Sequence, residues 1–356
     1  MTESLKEIID GVRPVDRQWL ERARAHTAQL VMPPRALGRL HEIGERLCAI
    51  RQSLAPRVGR KAVLVMAADH GIAAEGVSAY PQEVTGAMVR TFLAGGAGIS
   101  VIARLAGAEV YVADMGILPE LDPGGLPNRE RLFVRKIGRG TQSISRGPAM
   151  SRPQAERAVL TGFELASGLI RGGVELLGTG DMGIGNTTAS AAVGAVLAGA
   201  GLEEMVGRGT GVDDAGLARK RRAVAQALEV NRPDPADGLD VLAKVGGFEI
   251  GGIAGIALAG AFHRVPVAVD GFISTAGALV ACALAPAAAD FLFAGHRSEE
   301  PGHRRMLAHL GLEPILDLGM RLGEGTGAAL AMGVIEAGAR VIAEVMTFAQ
   351  AGVPTK

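Results

Sequence analysis

The stretch Val174-Glu175-Leu176-Leu177-Gly178-Thr179-Gly180-Asp181-Met182-Gly183-Ile184-Gly185-Asn186-Thr187-Thr188 decides the fold class. A short apolar run, 174–177, gives way to glycines and an aspartate, and residues 187–197 then follow an Ala-rich helical pattern. Strand, glycine turn, helix is the repeating unit of a parallel α/β sheet, whose strands are buried on both faces and read as short apolar runs. Working outward, further apolar runs lie at 62–68, 109–115, 265–269 and 291–294. Helical patterns are predicted over 82–94, 152–171, 213–230, 248–263, 273–284 and about 326–348. In the first fifty residues Leu37, Leu40, Ile43, Leu47 and Ile50 recur at helical spacing, so this end reads as an amphipathic hairpin interrupted at Pro33-Pro34. The expectation is an α/β protein: a Rossmann-like, mostly parallel sheet with helices on both faces, and helical segments at both chain ends.

Composition narrows the function. The 356 residues carry 37 Lys+Arg against 37 Asp+Glu, so the formal net charge is zero and no electrostatic case exists for a nucleic-acid or anionic-membrane partner. Glycine supplies 51 positions, roughly twice the usual share, while aromatic residues supply only 3%. With 48% hydrophobic residues the chain can bury a core, so the glycines point to close backbone approach and ligand loops rather than disorder. Cys48 and Cys282 belong to no metal-binding or redox spacing and read as buried thiols. Residues 1–10 are charged and lack the apolar segment of a secretory signal, and the longest uncharged apolar runs, 250–262 and 276–289, are too short to span a bilayer. A cytoplasmic protein without a membrane span is expected.

Polar residues gather where the strands end: Asp69-His70-Gly71, Asp114-Met115-Gly116, Gly178-Thr179-Gly180-Asp181, Asp270-Gly271 and Gly295-His296-Arg297-Ser298-Glu299. In an open parallel sheet those ends outline the ligand crevice. Residues 178–183 match G-x-G-x-x-G, yet the acidic residue of a dinucleotide site, about twenty positions on at the end of a second strand, is not met by Glu203 or Glu204, which follow an Ala-rich helix. A Walker A loop is excluded, since no Gly-Lys pair occurs. Two more glycine turns, 207–211 and 323–327, open the next helices, and glycine turns at helix starts offer backbone N–H groups to a phosphate. Of the basic run 219–222, part reads as a solvated helix face. Glu324, flanked by Gly323 and Gly325, either serves a helix dipole or faces a cleft, where desolvation would raise its pKa and make it a general base. His70 and His296 have no third ligand at zinc spacing, so no metal is predicted.

Read together, five blocks resemble the nicotinate-nucleotide:dimethylbenzimidazole phosphoribosyltransferases. These are Pro34-Arg35-Ala36-Leu37-Gly38-Arg39-Leu40, Asp69-His70-Gly71-Ile72 with residues 76–85, Gly180-Asp181-Met182-Gly183-Ile184-Gly185-Asn186-Thr187-Thr188, Gly295-His296-Arg297-Ser298-Glu299, and Arg321-Leu322-Gly323-Glu324-Gly325-Thr326-Gly327. The match runs in order over nearly the whole chain. It implies transfer of a 5-phosphoribosyl group from nicotinate mononucleotide to 5,6-dimethylbenzimidazole, giving α-ribazole 5′-phosphate and nicotinate for the nucleotide loop of cobalamin, without a cofactor. It also implies a homodimer, a catalytic α/β domain at 56–324, and a small helical domain from 1–55 and 325–356. By resemblance Glu324 is the general base, and Asp181 stands where the family has Glu, a methylene shorter. The turns with Gly183, Gly185, Asn186, Gly209 and Gly211, together with Lys220, are phosphate candidates, and Ser298 is a nicotinate or ribose candidate. Ser78, Tyr80, Gln82 and Met88 resemble the benzimidazole pocket, and Gly325 completes the Glu324 turn. Retention of Glu324 favours the enzyme over a non-catalytic nucleotide or corrinoid-precursor binding protein on the same fold.

Overall fold

The computed structural model describes residues 3–354; the outermost residues of the predicted N-terminal and C-terminal segments lie outside them. The chain opens with α1 (Leu5–Gly11), α2 (Arg17–Thr27) and α3 (Arg39–Arg51), followed by β1 (Lys61–Ala68), α4 (Val84–Ala94), α5 (Gly98–Ala106), β2 (Ala108–Gly116) and β3 (Leu132–Val134). Next come α6 (Arg152–Arg171), β4 (Leu176–Met182), α7 (Asn186–Leu197), α8 (Leu202–Met205), α9 (Asp214–Asn231), α10 (Gly238–Val245) and α11 (Phe248–His263). The chain closes with β5 (Val267–Val269), α12 (Phe272–Leu284), β6 (Leu292–Ala294), α13 (His303–Leu310), α14 (Thr326–Glu344) and α15 (Phe348–Ala351). Local chemistry sets several starts: Ser151 and Gln154 form a capping box ahead of α6, and Asp213 caps α9.

The sheet is wholly parallel in the order β3-β2-β1-β4-β5-β6. β1 is buried at every residue, as a central strand covered on both faces must be. Side chains alternate along it. Val63 and Val65 face α14, while Met66 faces α11. The α6–α11 contact explains part of the glycine excess: a Cβ on Gly162 would lie 1.9 Å from the Gly252 carbonyl oxygen, and one on Gly255 would lie 2.1 Å from that of Val159. These helices touch backbone to backbone, which only glycine allows.

The structure corrects several boundaries. The run 174–177 is not the strand: β4 spans Leu176–Met182, so Gly178-Thr179-Gly180-Asp181 is extended chain between β1 and β5 rather than a turn. Its glycines are required because α14 lies against them; a Cβ on Gly180 would sit 2.4 Å from the Glu324 carbonyl oxygen. The predicted helix 326–348 ends at Glu344, because Leu30 and Thr347 form an antiparallel bridge and a Thr347–Gln350 capping box starts α15. Two helical stretches, Val84–Ala106 and Thr326–Glu344, are long and apolar enough by composition to cross a membrane. The first is two helices, α4 and α5, and both stretches pack against the sheet.

Candidate active site

The strand order reverses between β1 and β4, so a crevice opens at the carboxyl ends of those strands. There lies a cleft walled by Asp181 and Gly183 at the end of β4, Asn186 and Thr187 from α7, and Gly271 from the start of α12. Gly209, Thr210, His296, Ser298, Glu300, Arg321 and Gly323 close it from three loops. Gly183, Gly209 and Gly323, one from each of the three glycine-rich stretches, therefore border one cavity.

Their chemistry differs from the sequence expectation. The amide of Gly209 donates to Glu300 Oε1 at 2.7 Å, and the amides of Gly325, Gly327 and Ala328 donate to the buried Asp270 carboxylate at 3.1, 2.7 and 3.1 Å. Internal carboxylates thus occupy the N–H groups read as phosphate donors in two of the turns, and Gly325 faces Val63 rather than the cleft. Gly211 lies on the exposed side of its turn, outside the lining. Asp270 acts as a buried cap for α14, fixing the helix that follows Glu324. Asp270→Ala would leave those amides unpaired and is expected to cost about 3 kcal/mol or more of unfolding free energy, measurable by denaturant titration.

The positive charge comes from one side chain of the basic run. Lys220 turns inward from α9, is 1% exposed, and donates to Thr187 Oγ1 at 2.9 Å, while Arg219 reaches the Gly76 carbonyl and Arg221 pairs with Glu203. Burial pulls the Lys220 ammonium down to about 8, with Glu300 opposing the shift. Arg321 adds a second cation at the rim, donating to the Gly209 carbonyl.

Asp181 accepts from the Asn186 amide at 2.9 Å through Oδ2, and its buried Oδ1 has no partner. Burial, then the carboxylates of Asp270 and Glu249, push its pKa well above the usual carboxylate range. Ser298 lines the cleft, and its loop is held by His303, whose Nδ1 accepts from the Ser298 amide at 2.9 Å and whose pKa burial lowers to about 3.

Glu324 is where three successive residues, Gly323, Glu324 and Gly325, adopt left-handed backbone with φ of 82°, 63° and 98°. A non-glycine residue there is strained, and strain of this kind clusters at functional sites. The side chain does not line the cleft; it turns behind Leu322 and Gly323 to the start of α5, where Oε2 accepts from the Ile99 amide at 3.0 Å. Burial raises its pKa, the amides of Ile99 and Gly98 oppose this, Asp270 adds to it, and the net direction is up. The helix dipole it serves belongs to α5, not to its own helix.

The segment expected at the base pocket docks beside the cleft. Ser78 Oγ lies 3.2 Å from Thr210 Oγ1, and the Gln82 amide donates to the His70 carbonyl at 3.0 Å. Tyr80 is 56% exposed, and Met88 lies half-buried on α4 against the core. Thr210 and Arg321 also line the cleft, from stretches the sequence marks by their glycines without giving these side chains a role, whereas Glu300 lies just past the quoted block 295–299 and is brought in by tertiary structure.

A family model described as a phosphoribosyltransferase matches residues 12–353. Curated relatives named nicotinate-nucleotide–dimethylbenzimidazole phosphoribosyltransferase include one from Geobacter metallireducens, 53% identical over 98% of each chain, and one from Desulforudis audaxviator, 52% identical over 98% of each. Among solved structures, that of CobT from Thermus thermophilus is 51% identical, superposes with a TM-score of 0.91, and covers 95% of this chain and all of that one.

Proposed function

The chain belongs to the nicotinate-nucleotide–dimethylbenzimidazole phosphoribosyltransferase family, and from that premise we propose how its residues carry out the transfer. The reaction moves the 5-phosphoribosyl group of nicotinate mononucleotide to 5,6-dimethylbenzimidazole, giving α-ribazole 5′-phosphate and nicotinate. One observation carries the assignment of roles: Thr187, which lines the cleft with Gly183, Gly209 and Gly323, accepts from the buried Lys220 ammonium behind it, and a strained, elevated-pKa carboxylate follows Gly323.

The nicotinate ring of the nucleotide is a pyridinium, so it leaves as a neutral pyridine nitrogen with no acid required. The benzimidazole nitrogen attacks C1′ from the opposite face, which inverts β to α, and the other ring nitrogen must then lose its proton. Glu324 takes that proton; a carboxylate whose pKa burial raises is a better proton acceptor than an exposed one. Lys220 and Thr187, with the turn at Gly183, Gly185 and Asn186, bind the phosphate. Asp181 and Ser298 face the ribose and nicotinate. Ser78, Tyr80, Gln82, Met88 and Leu322 border the base. The test is direct: incubation of the protein with both substrates should release nicotinate and α-ribazole 5′-phosphate, resolved by chromatography, and absence of product at high enzyme would refute the reading.

Phosphate binding through Lys220 has a pH signature. The ammonium is fully present below pH about 8 and is lost as pH rises through that value, so kcat/KM should fall on the alkaline side. Lys220→Met is expected to raise KM for nicotinate mononucleotide about ten- to hundredfold and to abolish that alkaline limb.

The same reading treats 56–324 as the catalytic unit and 1–55 with 325–356 as a helical unit. It is supported by the packing of α3 on α14 and the Leu30–Thr347 bridge, with α14 also touching β4 and β5. We further propose a cytoplasmic homodimer. The two cysteines are unpaired, as in a reducing compartment, and an apolar groove of Val31, Met32, Pro33, Phe348 and Val353 lies where the chain ends meet. Sedimentation at micromolar concentration should give twice the chain mass.

A further inference from the structure

Beneath the cleft, outside its lining, His70 and Glu249 are both wholly buried, and His70 Nε2 lies 2.6 Å from Glu249 Oε1. They are 179 residues apart: His70 follows β1, and Glu249 lies in the first turn of α11. Burial pushes the imidazole down, the Glu249 and Asp69 carboxylates push it up, and the net direction is up. The contact gives one oxygen of a buried carboxyl group a partner it would otherwise lack in the interior.

The surroundings give the ring a second task. It stands between two glycine turns: a Cβ on Gly247 would lie 2.4 Å from His70 Cε1, and one on Gly183 would lie 3.4 Å from Cδ2. A Cβ on Gly185 would lie 3.4 Å from His70 Cβ. The residue's own carbonyl accepts the Gln82 amide. One residue therefore supports the turn assigned to the phosphate from below and tethers the segment assigned to the base from the side.

We propose that His70 and Glu249 are positioning residues for the transfer, the imidazole acting as a strut that Glu249 holds in place and that sets the spacing between the phosphate turn and the base segment. This rests on the proposed reaction, because the two loops matter jointly only if both substrates bind there. Neither residue borders the cleft, so their effect acts through the turn at Gly183 and Gly185 and through Gln82.

Steady-state kinetics of His70→Leu, His70→Gln and Glu249→Met, with the folded fraction of each measured by circular dichroism, test it. Loss of the strut in His70→Leu, or of the clamp in Glu249→Met, is expected to raise KM for nicotinate mononucleotide and for the benzimidazole about tenfold at full folded fraction. In His70→Gln the amide nitrogen stands near the position of imidazole Nε2 and still donates to Glu249, so most of that loss should be recovered. A purely structural pair predicts the other pattern, in which kcat falls in proportion to the folded fraction while both KM values stay within about twofold of wild type. That pattern, or a His70→Gln enzyme no better than His70→Leu, overturns the proposal. Should His70→Leu not fold, Glu249→Met, which removes the acceptor at similar side-chain length, decides alone. Wild-type product formation in the same assay tests the reaction separately, and calorimetric titration with nicotinate mononucleotide reads the variants even if turnover is absent.

Discussion

Glu324→Gln is expected to lower kcat by about two to four orders of magnitude while nicotinate mononucleotide still binds with near wild-type affinity. The amide is nearly isosteric and keeps an oxygen for the Ile99 N–H, so the contact with α5 and the left-handed turn survive. What it loses is a basic site for the benzimidazole proton. Burial raises the wild-type carboxylate above its ordinary pKa, so wild-type kcat/KM should fall as pH drops through that raised value, and the variant should lose this acid limb. Rapid-mixing assays across pH, with calorimetry for the nucleotide, check both halves. Turnover close to wild type would place the base elsewhere, and Asp181 would be the next carboxylate to replace.

Gly180→Ala is expected to be nearly as damaging, for a steric reason. The added Cβ would stand 2.4 Å from the carbonyl oxygen of Glu324 and 2.9 Å from its carbonyl carbon. Both are backbone atoms of the strained turn and cannot rotate aside. Either β4 or the turn must shift, at a cost of about 1–3 kcal/mol in stability and, through displacement of the base, about a hundredfold in kcat. Gly178→Ala is the control two residues away on the same strand. Its new Cβ would meet Met332 Cε at 2.7 Å, the end of a flexible side chain, so a smaller loss of melting temperature and near-normal kcat are expected. Equal effects from the two alanines would mean that the turn tolerates movement and that Glu324 is not placed by β4.

These two positions also show what the sequence reveals and what it hides. Long helices are plain: α6 and α11 fall on the predicted 152–171 and 248–263. The parallel sheet follows from apolar runs separated by helices, and Glu324 stands out through its flanking glycines. The path of residues 178–182 is concealed, because Gly, Thr and Asp favour turns locally and only the approach of α14 makes an extended glycine chain the answer. β3 pairs only at the edge of the sheet, and α5 carries the β-branched pair Val101 and Ile102, so neither announces itself. The carboxylates that take up the turn amides, Asp270 and Glu300, lie 55 to 91 residues from the groups they bind, where no periodicity can link them.

The capping of α14 by Asp270 bears on how the chain acquires its structure during synthesis. Strands β1, β4 and β5 are made before α14, yet the carboxylate at the end of β5 finds its amide donors only in residues 325–328. Until the last long helix arrives, the acid at the end of β5 has His296 near it but none of its three amide donors, and the first turn of α5 has no Glu324 to receive its amide. A chain stalled on the ribosome after β6 therefore has its substrate crevice outlined but its interior unsatisfied, and is expected to be protease-sensitive. Release of the C-terminal segment stabilises the sheet and delivers the base in a single event, so incomplete chains gain neither stability nor activity by degrees.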